Sequence, residues 1–211
     1  MLHFLSQFSA DARFYHRLKH PQQPATLWAL TATALRSPGL WILTFHRIIY
    51  FSSNRRNLRS IVWWLARLTE IPVHYLNTVV GKSELLGDCY IKGSAYLPDK
   101  GYLTCGALSI GAGSMIHDHV TFGYAVAKGK VGRPHVGSDV WIGPNCIIAG
   151  GLEIGDGSTL LPGTYLTYSV PPRSVVRGNP GRVVREEFDN AALRASLNIV
   201  DVLPEVESQK S

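Results

Sequence analysis

Apolar residues return at every sixth position through the second half of the chain. Leu85, Ile91, Leu97 and Leu103 are spaced by six, one extra residue intervenes, and Ile110, Ile116 and Phe122 resume the count. A gap of fourteen leads to Val136, after which Ile142, Ile148, Ile154, Leu160 and Leu166 keep the step. Two places before most of them stands a small or β-branched residue, among them Ser83, Cys89, Ala95, Gly101, Ser114, Val120, Cys146 and Thr164. Neither the helical period of about 3.6 nor the strand period of about 2 yields a six. A short, strict repeat predicts a β-helix in which each hexad is one strand and one corner. Three hexads then close a triangular coil, with the apolar residue turned to its axis and Gly or Asp taking the corner.

The first 80 residues carry a different signal. Ser9 followed by Asp11 marks a helix start. Pro38 precedes the apolar run from Gly39 to Phe51, as in a first helical turn. Asn57 opens a third stretch to about Glu70, where Leu58, Ile61, Val62, Leu65 and Leu68 recur at helical steps and Ile71-Pro72 ends the pattern. Trp41, Phe45, Tyr50, Phe51, Trp63 and Trp64 make this part aromatic. It packs on the second half or between subunits, or lies on a membrane surface. The expected divisions are a helical segment 1–80, a β-helix 81–186 and a polar, frayed tail 187–211.

Composition narrows the choice. The 211 residues are 45% hydrophobic and 17% charged, as in a chain with a core. The net charge of +6 suits phosphate groups or an anionic surface. No Lys/Arg stripe interleaves with aromatics, so nucleic acid is not an expected partner. Cys89, Cys105 and Cys146 show no metal or disulfide spacing, which suits a reducing compartment. The start Met-Leu-His-Phe-Leu lacks signal-peptide character, and Leu40–Phe51 and Ile61–Leu68 are too short to span a bilayer. These features predict a cytoplasmic protein, with peripheral membrane contact left open.

Residues 136–186, from "VGSDVWIG" to "VPPRSVVRGNPGRVVRE", resemble the closing coils of hexapeptide-repeat acyltransferases, including serine acetyltransferases and O-acetyltransferases acting on sugars. "HVTFG", a loop and then "RPHVG" resemble the serine acetyltransferase branch. The resemblance covers roughly residues 75–186. It implies a mainly β fold, a left-handed parallel β-helix with an N-terminal helical segment, assembled as a homotrimer with acetyl-CoA between subunits. It also implies a His general base that deprotonates an acceptor hydroxyl for direct attack on the thioester, with backbone N–H groups near the site to stabilise the oxyanion.

Repeat counting places the chemistry. Leu97, Ile116, Ile142 and Leu160 share one face, and two places on, Asp99, Asp118, Pro144 and Pro162 form a corner column. His117 and His119 flank that column, and the loop between Phe122 and Val136 ends in Arg133-Pro134-His135. An imidazole with a carboxylate to orient it is what base catalysis requires. The candidates are therefore His119, His117 and His135, with Asp118 or Asp99 as the orienting group. For acetyl-CoA the resemblance implies Pro144, Pro162, Thr167 and Tyr168, with Arg177 and Arg182 meeting phosphates.

The pattern departs from the serine acetyltransferase branch. Where that branch carries "LxHxxG" this chain has Leu97-Pro98-Asp99-Lys100-Gly101, without His, and the loop motif reads Arg-Pro-His. The acceptor is accordingly expected to be a sugar of a polysaccharide or its precursor, with free serine as the alternative. Two further readings stay open: a zinc site of the γ-carbonic-anhydrase kind built from the histidines, and a non-catalytic scaffold.

Overall fold

The computed structural model describes residues 2–54, 83–85, 88–99, 101–127, 130–195 and 197. Helices α1 (Leu2–Lys19), α2 (Leu27–Arg36) and α3 (Pro38–Asn54) lead into a run of two- to four-residue strands. Pro38 is the first residue of α3, as its placement before the apolar run predicts. Ser9 and Asp11, by contrast, lie inside α1 and open no helix of their own. The helix expected at 57–70 lies outside the described residues.

The strands wind as a left-handed β-helix with three faces. The first face stacks Glu84–Leu85, Thr104–Cys105, Thr121–Gly123, Ile147–Ala149 and Tyr165–Leu166, all parallel. The second stacks Tyr90–Ile91, Ser109–Ile110, His135–Val136 and Glu153–Ile154. The third runs from a bridge at Tyr96 through Met115–Ile116, Trp141–Ile142 and Thr159–Leu160 to Val175–Arg177, where Arg182–Arg185 closes it antiparallel.

The axial residues counted from sequence are all buried, eleven of the thirteen at 0–2% exposure. One correction concerns the slip. Cys105, not Leu103, pairs with Leu85 and Phe122. Leu97 to Cys105 is a step of eight and Cys105 to Ile110 a step of five. Leu103 instead takes the inner place two before the axial residue, so large and small are exchanged on this coil and the volume at the axis is preserved.

The helices close the open end of the first coil. Tyr90 and Lys92 donate to the next coil, so the polar groups of Ile91 between them face the other way, where none of the described strands lies. Side chains of α1 and α3 meet them. Arg47, buried, donates to the Ile91 carbonyl at 2.6 Å, the Lys92 carbonyl at 3.0 Å, Gln7 and both carboxylate oxygens of Asp11. All five guanidinium N–H groups are thereby used. Asp11 in turn accepts from the Ser94 N–H. Burial pushes its carboxyl above the ordinary value, against the pull of Arg47. His46 donates through Nε2 to the Cys89 carbonyl at 2.8 Å.

At the other end, residues 186–195 fold back along the corner between the second and third faces. Asn190 donates to the Asp139 and Ser158 carbonyls, Arg194 pairs with Asp139 at 2.6 Å, and Phe188 and Leu193, the latter in the short α4 (Ala191–Ala195), are buried. The expectation of a frayed tail fails over this part, because two apolar side chains have a face to cover. Residues 198–211 lie outside the described set.

No described helix is long and apolar enough to cross a membrane. Leu27, Trp28 and Leu35 of α2 are exposed. Cys89 and Cys105, far apart in sequence, meet in the core as free thiols with sulfurs 3.9 Å apart.

Candidate active site

The corner between the third and first faces carries the column expected from counting. Its register holds, because Ile116, Ile142, Leu160 and Val176 are neighbours on successive coils. Asp118 accepts from the Asn145 N–H through its carbonyl, and Pro144 from the Gly163 N–H. The next position along forms a second column: His119, Asn145 and Gly163, with φ of 61°, 60° and 73°. Each of these residues sits in the left-handed region. Gly and Asn adopt it readily, whereas for His it costs on the order of 1–2 kcal/mol. His119 is exposed and lies flat against Tyr102, ring centroids 4.6 Å apart and planes 7° from parallel.

His117 is placed differently. It is 7% exposed on the outside of the third face, 4.8 Å from the Trp141 ring and 6.3 Å from that of Tyr96. Its Nε2, the Trp141 Nε1 and the Thr159 Oγ1 have no hydrogen-bond partner among the described residues. Burial pulls the imidazole down to about 4. Such a ring stays neutral near pH 7 and is a weak proton acceptor.

The remaining candidates are dispersed. Asp99 is taken up by the helices: it pairs with Lys19 at 2.5 Å and accepts from the Gly39 N–H at 3.0 Å, at the positive end of α3. His135 is not in the loop but on the second face, in strand His135–Val136, where Nδ1 lies 3.1 Å from Ser109 Oγ. The loop instead folds as a hairpin, Ala125–Ala127 with Lys130–Gly132. His117, His119 and His135 thus do not converge within one chain, and among the described residues no group of three His, Cys, Asp or Glu side chains is placed to hold a metal ion.

Pro144 and Pro162 line the corner. Arg177 and Arg182, both exposed, are register partners at the last coil. Nothing lies within 4 Å of where a Gly163 side chain would begin, so the column is open at that coil. At about 4.8 Å per coil, the three steps from His119 to Gly178 span roughly 14 Å. Thr167 and Tyr168 lie one strand further round, and the Tyr168 hydroxyl donates to the Gly181 carbonyl at 3.2 Å.

Sequence reasoning missed Tyr102. Counting Leu103 as axial hid that Tyr102, three places before Cys105, heads the column of His119, Asn145 and Gly163. The signal was Cys105, an axial-sized gap filled by a small residue.

Comparisons with known proteins agree with this architecture. A family model described as bacterial transferase hexapeptide (six repeats) matches residues 133–167. A chloramphenicol acetyltransferase of Agrobacterium fabrum is 36% identical over 64 residues, 30% of this chain and 31% of its own. The chain spans about a third of the length of the curated relatives it matches. Among solved structures, soybean serine acetyltransferase complexed with serine superposes with a TM-score of 0.67 at 24% identity, over 85% of this chain and 70% of that one. The serine acetyltransferase of Brucella abortus strain S19 in complex with coenzyme A gives 0.68 at 18% identity, over 86% and 69%. Residues 133–167 therefore match the hexapeptide-repeat transferases, and the chain as a whole has the left-handed β-helix fold of the serine acetyltransferase structures.

Proposed function

We propose that this chain is an acetyl-CoA-dependent O-acetyltransferase with His119 as the general base. The observation that carries the reading is His119 itself: an exposed imidazole in left-handed backbone on a corner column that is open at Gly163. In this reading an extended thioester lies along that column. Pro144, Asn145, Pro162 and Gly163 would lie beneath it, and Arg177 and Arg182 would meet phosphates at the far end. When bound, acetyl-CoA supplies an activated acyl carbon. His119 accepts the proton of the acceptor hydroxyl as the oxygen attacks that carbon. It then returns the proton to the departing thiolate, leaving an ester and free CoA.

The acceptor we assign is a saccharide hydroxyl, because Asp99, at the position matching the serine acetyltransferase motif, is engaged by Lys19 and Gly39. Serine is the competing acceptor, since proteins of this fold are named for it. The assembly is a cytoplasmic homotrimer in this reading, and exposed Leu27, Trp28 and Leu35 would rest on the membrane that holds a lipid-linked acceptor.

The test measures CoA release from acetyl-CoA with N-acetylglucosamine or serine as acceptor. His119→Ala should fall at least about 10²-fold, while His117→Phe stays near the native rate. Full turnover by His119→Ala would overturn the base assignment.

A further inference from the structure

We propose that Tyr102 is a positioning residue for His119, fixing the plane of its imidazole by face-to-face stacking; this rests on His119 being the base. Elsewhere along the third-to-first corner, axial residues are six apart, as in Ile116–Phe122, Ile142–Ile148 and Leu160–Leu166. Between Leu97 and Cys105 there are two residues more, and they fall before Tyr102, which stands three places ahead of Cys105 as His119, Asn145 and Gly163 stand ahead of Phe122, Ile148 and Leu166, with φ of 60°, 61°, 60° and 73°. The shared register of the two coils therefore sets the Tyr102 ring against that of His119.

Two rings are thus set side by side at left-handed corner positions that the following coils fill with Asn145 and Gly163. Tyr102 is 44% exposed and His119 exposed as well, so the stack buries little apolar surface and is poorly explained as core packing. No hydrogen bond to a described residue holds the His119 ring. A base is ordinarily oriented by an acceptor on its second nitrogen. A stacked ring orients it instead by constraining the plane, and leaves both nitrogens available at the ring edge. An aromatic face also tolerates the imidazolium formed during turnover.

The experiment uses the full chain with acetyl-CoA hydrolysis as the assay, so that no acceptor need be known, together with NMR of histidine-labelled protein. Tyr102→Leu should lower kcat roughly 10–100-fold, as expected for a misplaced base, with KM for acetyl-CoA little changed. Tyr102→Phe keeps the ring face and should keep kcat. The ring protons of His119, assigned by their loss in His119→Ala, should be shifted upfield in the native protein and in Tyr102→Phe, and move downfield in Tyr102→Leu. A native kcat in Tyr102→Leu overturns the inference whether or not the resonance moves. So does an equal loss in Tyr102→Phe, which would assign the role to the hydroxyl. Full hydrolysis by His119→Ala is a separate result: it removes the base reading on which the inference stands.

Discussion

The Tyr15 hydroxyl donates to the Leu97 carbonyl at 2.9 Å and accepts from the Leu97 N–H at 2.8 Å. One side chain of α1 thus stands where a preceding strand would be, at the open edge of the third face. Tyr15→Phe keeps the ring and leaves both backbone groups unpaired. The expected loss is about 2–4 kcal/mol, read as a lower urea midpoint and faster exchange of the Leu97 amide.

The buried pair Arg47–Asp11 does the same work for the second face. Arg47→Met leaves a buried carboxylate and two carbonyls without donors, and should cost about 3–5 kcal/mol. Adding Asp11→Asn removes the stranded charge, so the double variant should be more stable than the sum of the singles predicts. Denaturation of the four proteins at one concentration checks this; strict additivity would mean the two residues do not act as a unit.

His117 makes stability depend on pH. Its folded value, about 4, lies below the ordinary histidine value. As pH falls below about 6.5, the unfolded chain takes up a proton that the folded one refuses until about 4, so stability drops across that window. The contribution is about 3 kcal/mol when complete. His46, also lowered by burial, acts in the same direction. His117→Phe should flatten the acid side of the stability curve, measured as urea midpoints from pH 7 to 4.5.

Glycines at two corners should respond in opposite ways. A Cβ on Gly111 would stand 2.2 Å from the Gly137 carbonyl oxygen, so Gly111→Ala must move backbone and should destabilise the fold by several kcal/mol. Gly163 faces open space in the left-handed region. Gly163→Asn tolerates that backbone and sets a side chain in the proposed groove. Its melting temperature should stay within a few degrees of native while KM for acetyl-CoA rises about tenfold or more. An unchanged KM would place the acyl donor elsewhere.

Much of this was legible before the fold was known. A beat of six puts Ile116, Ile142 and Leu160 one above another because each coil consumes a fixed chain length, and the same arithmetic stacks Asp118, Pro144 and Pro162. The count erred where it met a substitution it could not see: Leu103 is apolar and in phase, yet Cys105 faces the axis, since only the neighbouring coil tells which of two buried residues pairs with Leu85 and Phe122.

The periodicity by itself determined the winding, the apolar axis and the corner that gathers His119 with its column, all of which follow from local spacing. Tertiary structure decided how the first coil is closed, by Tyr15, His46 and Arg47 acting across 43 to 82 positions of sequence. It also decided the different surroundings of the two neighbouring histidines. Residues 117 and 119 are two apart on one turn, but packing by Trp141 makes the first buried and neutral, while Tyr102 meets the second at the surface. Protonation and orientation depend on what surrounds a ring, and those neighbours come from other coils.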